Sequence, residues 1–226
     1  MVENEVVRVV FQATKSRGEV SGLLLRPENA KSLFVFAHGA GAGMQNRFMD
    51  AMSLNLARDG IASFRYHFPY MEGGSKRPDP KPILLATVRA AVREASHRAS
   101  GLQIIAGGKS MGGRMTSMAA SEEPLEGVKG LVFLGFPLHP AGKPSTERAE
   151  HLSGVGVPML FLQGTRDALA DLGLLKPICT GLGSLATLHV VDGADHSFHM
   201  PKKSGRDDQA VLAELARVIR EFAEQL

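Results

Sequence analysis

Short apolar segments recur eight times along this chain, and most of them are separated by longer stretches with helical periodicity. Later segments such as GLVFLGFP and VPMLFLQG are nearly continuous aliphatic runs, which is typical of strands covered on both faces. Their alternation with helices predicts an α/β fold, an eight-stranded mostly parallel sheet with helices on both faces. The predicted strands are 6–13, 18–27, 32–39, 61–68, 102–108, 130–137, 157–164 and 185–193.

The first two predicted strands are separated only by the turn TKSR, which favours a hairpin. The last predicted helix is the clearest, because its apolar residues form one stripe and Asp207 and Asp208 stand near its start. A chain of 226 residues is long enough for one core of this kind, so we expect a single domain over 1–226. The predicted helices are 45–58, 82–98, 111–121, 145–152, 168–176 and 208–224.

Composition excludes several classes of function. The net charge of +3 comes from lysines and arginines spread along the chain, with no dense basic run, no Trp and only two Tyr, so we expect no nucleic-acid partner. No apolar run is long enough to cross a bilayer, and residues 1–12 lack the build of a secretory signal, so we expect a cytoplasmic protein with no membrane partner. Cys179 is the single cysteine, which excludes an internal disulfide framework and an all-cysteine metal site.

The segment IIAGGKSMGGRM permits two functional interpretations. Gly108-Lys109-Ser110 resembles the end of a phosphate-binding loop, but that loop requires a glycine five residues before Gly108. Gln103 occupies that position, inside the apolar run of a predicted strand, so a phosphate-binding loop is disfavoured.

The second interpretation is the G-x-S-x-G turn that presents a nucleophilic serine between a strand and a helix. Gly108 and Gly112 lie two residues before and after Ser110, and Gly107 and Gly113 leave further room for the backbone. Taken alone the pattern is also compatible with an ordinary turn that carries a capping serine.

The order of the remaining residues favours catalysis. A serine hydroxyl requires a base, and the base requires an acid that fixes its tautomer. In hydrolases with this turn the acid and then the histidine follow the serine, each after a strand, and Asp167 and His196 occur in those places. Considered singly, Asp167 could be a helix N-cap and His196 a solvated loop residue.

Other residues compete for these two roles. Asp171 lies one helical turn beyond Asp167, and His199 is the alternative base. Asp192 and Asp195 flank His196 too closely in sequence to reach the far side of its ring comfortably.

With AHGAGAGM, FRYHFPYMEGGSKRPDP and GGKSMGGRM the chain resembles the α/β-hydrolase superfamily over nearly its whole length. Its small form is most similar to the dienelactone-hydrolase-like branch, and these motifs resemble a little-studied group that includes a subunit of the chromatin non-specific lethal complex and bacterial predicted hydrolases. The resemblance implies Ser110 as nucleophile, Asp167 as acid and His196 as base. Dienelactone hydrolases proper carry a cysteine in place of Ser110, so their lactone substrate is not transferred to this chain.

In the α/β-hydrolase fold two backbone amides hold the negative oxygen of the tetrahedral intermediate. One follows the nucleophile, here Met111, and the other follows the third strand, here Ala40 in the segment FAHGAGAGM. We expect His38 to hold this loop in place and not to carry protons.

The segment between the sixth and seventh predicted strands is short, which predicts an open site without a large lid and disfavours a lipase for long chains. The Pro/Gly-rich segment 69–82 should lie at the same edge of the sheet as the catalytic loops. Positive charge near it would favour small or acidic acyl substrates, but the same residues are also compatible with solvated surface charges. The residues that would supply this charge are Arg65, Lys76, Arg77 and Arg114.

These observations predict a serine hydrolase that acts on a small carboxylic ester or thioester and needs no metal and no cofactor. The alternative from another class is a catalytically silent binding module with the same fold. A C–C-bond hydrolase or a peptidase is a further option, and the sequence is compatible with a homodimer.

Overall fold

A computed structural model describes residues 5–226. Of residues 1–12, which are predicted not to form a secretory signal, the first four lie outside the described residues. The strands form one eight-stranded sheet in the order β1-β2-β4-β3-β5-β6-β7-β8. From β4 to β8 all neighbours run parallel, whereas β1 pairs antiparallel with β2, and β2 with β4. The strands are β1 Val6–Thr14, β2 Gly18–Leu25, β3 Ser32–Ala37, β4 Ile61–Tyr66, β5 Gln103–Lys109, β6 Val128–Leu134, β7 Met159–Gly164 and β8 Ala186–Val191. The predicted fold class and the hairpin are confirmed.

Helices cover both faces of this sheet, and each face has its own apolar core. On one face α1 and α6 pack over Phe34, Phe36 and Leu162. On the other face α3, α4 and α5 pack over Leu33, Phe133 and other buried strand residues. The α-helices are α1 Arg47–Arg58, α2 Pro69–Glu72, α3 Lys81–Arg98, α4 Met111–Glu122, α5 Leu172–Gly181 and α6 Asp208–Ala223. Within residues 5–226, no helix combines the length and the apolar character needed to span a membrane.

Two predicted helices differ from the structure. Predicted helix 168–176 begins later, at Leu172, because Asp171 caps α5 by accepting a hydrogen bond from the Gly173 N–H at 2.7 Å. Predicted helix 145–152 is a 3-10 helix over Glu147–Gly154, in which the Ala149 N–H donates to the Thr146 carbonyl in the short i to i+3 pattern. It is the one regular element within residues 135–158, between β6 and β7.

The winding of the sheet reverses at β3, which lies between β4 and β5. The chain moves outward from β3 to β4 and then returns to β5 on the other side of β3. Consecutive loops therefore leave in opposite directions and open a crevice at the carboxyl ends of the strands, where ligands bind in sheets of this kind. Ala37 at the end of β3 pairs with Gly108 of β5, so the loops that follow both strands begin side by side.

Candidate active site

Ser110 occupies the sharp turn between β5 and α4. Its φ of 51° and ψ of −117° lie outside the regions that a residue with a side chain normally adopts. Such a conformation costs on the order of 1–3 kcal/mol and persists only where the surrounding structure imposes it. Here the Ser110 N–H donates to the Leu134 carbonyl at 3.1 Å, and the Ser110 carbonyl accepts from the Arg114 N–H.

The glycines around Ser110 are required by close backbone contacts. A Cβ at Gly107 would lie 1.9 Å from the Val132 carbonyl oxygen. A Cβ at Gly108 or at Gly112 would lie 2.4 or 2.5 Å from the Ala37 carbonyl oxygen. Because these contacts involve backbone atoms that cannot rotate away, only glycine lets the first turn of α4 approach β3.

Three predicted residues meet at this turn. The Ser110 Oγ lies 2.9 Å from Nε2 of His196, and Nδ1 of the same ring lies 2.7 Å from Oδ2 of Asp167. An ionised carboxylate only accepts hydrogen bonds, so Nδ1 carries the ring proton and Nε2 is free to accept from the Ser110 hydroxyl. The Asp167 side chain is fully buried, whereas the His196 side chain is 25% exposed, so the ring faces the solvent and its acid does not.

Two loops position the acid and the histidine. Asp167 follows β7 and accepts hydrogen bonds from the Leu169 N–H at 2.8 Å and from the Gln163 amide group. The loop after β8 carries His196 and is closed by Asp195, which accepts from the Ser197 and His199 N–H groups. The two loops are joined by a hydrogen bond from the Arg166 N–H to the Ala194 carbonyl at 2.9 Å.

The loop after β3 lies directly beside the serine. A Cβ at Gly39 would be 3.7 Å from the Ser110 Cβ, which brings Ala40 next to the turn. Among residues 5–226, neither the Ala40 nor the Met111 N–H donates to a backbone acceptor. Both N–H groups therefore remain free of backbone partners, as donors to a negative oxygen would have to be.

His38 and Tyr70 hold this loop in place. The buried His38 ring donates from Nδ1 to the Gly39 carbonyl at 2.7 Å and accepts at Nε2 from the Phe68 N–H at 3.2 Å. Burial lowers the pKa of His38 to about 4, so the ring is neutral at pH 7 and suits both contacts. Tyr70 Oη accepts from the Gly41 N–H at 3.1 Å, which fixes segment 69–82 beside the loop as predicted.

A family model described as the alpha/beta hydrolase domain matches residues 30–224. The chain belongs to the α/β-hydrolase family. In this α/β hydrolase, β5 with its serine turn and the loops after β3, β7 and β8 all lie inside the matched range.

Solved structures share the fold of this α/β hydrolase over nearly its whole length. A dienelactone hydrolase from Anabaena variabilis matches with a TM-score of 0.76 at 20% identity, covering 99% of this chain and 98% of its own. A serine hydrolase without lid from Xanthomonas campestris matches with a TM-score of 0.74 at 19% identity over 96% and 95%. Esterase Est22 matches with a TM-score of 0.77 at 19% identity over 97% of this chain and 79% of its own.

The competing residues of this α/β hydrolase are used elsewhere. Asp171 caps α5. Asp192 accepts from the Thr165 hydroxyl at 3.1 Å, and Asp195 closes the histidine loop. His199 is 64% exposed and pairs through Nδ1 with Asp208 at 2.7 Å.

Arg65 is not available to a substrate, contrary to the prediction. It lies on β4 and is 4% exposed, and its Nη1 donates to the Met44 carbonyl at 3.0 Å and pairs with Asp50 of α1. Both faces of a central strand are covered, so its guanidinium points into the layer of α1 and serves the packing of that helix.

The other predicted basic residues form no side-chain hydrogen bond or ion pair with Ser110, Asp167 or His196 within residues 5–226. Arg77 and Lys76 are exposed on segment 69–82. Arg114 is half-buried one helical turn beyond Ser110, and its Nε makes no hydrogen bond within residues 5–226. Burial lowers the pKa of Arg114, and the charge of Arg148 lowers it further.

Sequence reasoning missed two residues that the structure places at the site. Gln163 precedes Asp167 by four residues and orients its carboxylate, but it stands inside an apolar run that gives no signal of a polar role. Lys109 stands inside the serine motif itself, and its side chain lies behind His196. Within residues 5–226, no group of three or more His, Cys, Asp or Glu side chains is placed to bind one metal ion.

Proposed function

We propose that this protein is a serine hydrolase that cleaves carboxylic esters or thioesters through an acyl-enzyme intermediate. The observation that supports the proposal is the continuous hydrogen-bonded series from Ser110 through His196 to Asp167, with distances of 2.9 and 2.7 Å. A dienelactone hydrolase, a serine hydrolase and an esterase share this fold, which agrees with the proposed chemistry.

In the first half of the proposed reaction the Ser110 oxygen attacks the carbonyl carbon of the ester, and His196 Nε2 takes the hydroxyl proton. Asp167 keeps the ring in the correct tautomer and stabilises its charged form. The carbonyl oxygen becomes negative and accepts hydrogen bonds from the Ala40 and Met111 amides, each worth roughly 3 kcal/mol to the transition state.

In the second half His196 gives its proton to the departing alcohol or thiol, which leaves an ester between Ser110 and the acyl group. A water molecule then transfers a proton to Nε2 and attacks the acyl carbon. The acid is released, the proton returns to the Ser110 oxygen, and the enzyme is regenerated.

A fluorophosphonate probe tests the proposal directly, because it reacts only with a serine whose hydroxyl is activated by a base. We expect the wild-type protein to be labelled and Ser110→Ala not to be labelled. Ser153→Ala is the matched control, since Ser153 is exposed on the 3-10 helix and donates only to the Glu150 carbonyl. Absence of wild-type labelling would refute the proposal and favour the silent binding module.

We further propose that the substrate is short and carries a carboxylate near its scissile bond. Arg114 lies one helical turn from Ser110, and its pKa is lowered first by burial and then by the charge of Arg148. Burial lowers the pKa of His151 to about 4, and the charges of Arg114 and Lys81 contribute, so several basic side chains act on this region. Arg114 is half-buried, so part of its side chain is open to solvent, whereas its Nε is buried and makes no hydrogen bond within residues 5–226. The resemblance to the chromatin-subunit group implies, in addition, a protein partner.

Arg114→Gln should therefore change specificity more than turnover. Losing a charge-assisted hydrogen bond should lower kcat/KM for a p-nitrophenyl succinate monoester roughly tenfold to a hundredfold, with p-nitrophenyl butyrate changed by less than about threefold. Initial rates with both esters measure the effect, and Arg217→Gln on the exposed side of α6, where Arg217 pairs with Glu221, is the control. Equal losses with both esters, or faster wild-type turnover of the neutral one, would contradict a carboxylate preference.

A further inference from the structure

Lys109 combines burial with the lack of a partner. It stands between Gly108 and Ser110, and its Nζ is inaccessible to solvent and makes no hydrogen bond within residues 5–226. Burying a polar or charged group without hydrogen bonds is costly, so such groups are uncommon where packing alone decides the residue. In this protein the group lies one residue from the proposed nucleophile.

Two aromatic rings hold the Lys109 ammonium. Its Nζ lies 5.9 Å from the ring centre of Phe48 on α1 and 5.7 Å from that of Phe198, within the range of cation–π attraction. The two rings stack on each other at 6.0 Å with an angle of 18°. Phe198 adopts a left-handed φ of 60°, which is strained for a residue with a side chain and places its ring in this position.

The Lys109 ammonium and the His196 ring both lie close to Gly135. A Cβ added at Gly135 would be 3.0 Å from Lys109 Nζ and 3.4 Å from both Nδ1 and Cε1 of His196. The ammonium and the imidazole therefore both lie against the position that a side chain at residue 135 would occupy, and Gly135 has none. A cation this close acts on the ring through little intervening solvent.

The charges facing Lys109 come from two loops. Asp167 after β7 and Asp195 after β8 are the carboxylates whose fields act on the ammonium, whereas Arg47 of α1 acts on Asp208. Burial lowers the pKa of Lys109 to about 8, and the two carboxylates oppose that effect, so the side chain is mostly charged at pH 7.

We propose that Lys109 is a positioning residue whose buried positive charge keeps Asp167 ionised and His196 singly protonated, the state in which the ring can accept the Ser110 proton. The inference rests on the proposed function, because it assigns His196 as the base. A cation beside an imidazole disfavours a second ring proton, and beside a carboxylate it favours the charged form. Lys109 therefore extends the range in which the base is competent toward lower pH.

Titration of the His196 ring tests this in the resting protein. The Cε1–H signal of His196 is assigned by its absence from the NMR spectrum of His196→Asn. Its chemical shift is then followed from acid to alkaline pH in the wild-type protein and in Lys109→Met. Methionine keeps the apolar stem and removes the charge, so we expect the ring to take up its second proton about one pH unit higher, a roughly tenfold greater proton affinity. Lys109→Arg should restore the wild-type titration, and Lys143→Met on the exposed loop after β6 should leave it unchanged.

Activity gives the second readout. The acid limb of the kcat/KM profile should move up by the same pH unit in Lys109→Met and return in Lys109→Arg, which a loss of packing alone would not produce. If Lys109→Met does not fold, the wild-type protein alone still tests the proposal. The chemical shift of its His196 signal should change near pH 8, as Lys109 loses its proton.

The outcomes separate the two proposals. A His196 titration that is the same in Lys109→Met and wild type, or a wild-type signal that stays flat around pH 8, overturns the role of Lys109 even if the enzyme is active. If the His196 titration is shifted in Lys109→Met but the wild-type protein hydrolyses no ester, the electrostatic coupling is supported and the proposed function is refuted.

Discussion

His196→Ala should reduce kcat for a p-nitrophenyl ester by roughly 10⁶-fold, because the serine then has no base and the three residues act as a unit. Fluorophosphonate labelling should be lost in parallel. The ring is partly exposed and forms the middle of the hydrogen-bonded series, so its removal breaks both contacts at once while leaving the apolar cores intact.

His199→Ala is the matched control for this change. His199 lies three residues away in the same loop and pairs with Asp208, and no contact joins it to Ser110 within residues 5–226. We expect its kcat within a few-fold of wild type. A large loss in His199→Ala with activity retained in His196→Ala would exchange the roles of the two histidines and reject the assignment.

Asp167→Asn should lower kcat about 10⁴-fold while leaving the fold intact, because the amide tends to donate to the ring and selects the wrong tautomer. The proton would then be on Nε2, which could no longer accept from Ser110. Thermal unfolding and kcat measured on the same preparation separate a chemical defect from a folding defect.

Asp192→Asn provides the comparison for the acid. Asp192 also lies after β8 near the histidine, but it is exposed and accepts only from the Thr165 hydroxyl. Its replacement should change kcat by less than about threefold. An equal loss in both variants would indicate a general effect of negative charge near the ring, not a specific contact from Asp167.

The serine turn could be predicted from the sequence because its close backbone contacts require glycine at particular positions. Gly107, Gly108 and Gly112 stand where a side chain would collide with Val132 or Ala37, so the spacing of glycines reports the contacts directly. The parallel sheet was predictable for a similar reason, since strands buried on both faces must be apolar throughout.

Asp167 and Asp171 are the same residue type, so the sequence separates them only by position. Both follow β7 and both are residue types that cap helices, so local pattern leaves the capping role open between them. The structure separates them because Asp171 caps α5, and Asp167 is turned inward by Gln163 and the Leu169 N–H. The predicted start of this helix was early for the same reason.

Arg65 and Lys109 could not be placed from the sequence. A charged residue in or next to a strand is ordinarily expected at the surface, yet each is buried at its charged end by a partner distant in the chain. Asp50 of α1 neutralises Arg65, and Phe48 and Phe198 enclose the Lys109 ammonium. Asp50 and Phe48 both lie on α1, so the environments of Arg65 and Lys109 depend on how α1 packs on the sheet, which the local sequence does not specify.

The reversal of winding at β3 has a consequence for how the protein reaches its competent state. The proposed oxyanion amide of Ala40 and the proposed nucleophile Ser110 follow strands that are neighbours in the sheet but are separated by β4 and α3 along the chain, and the proposed acid and base are added still later, after β7 and β8. No fragment synthesised before β8 holds a complete centre. Recovery of hydrolysis after denaturation would thus report the closing of the whole sheet, and helix content recovered earlier would not.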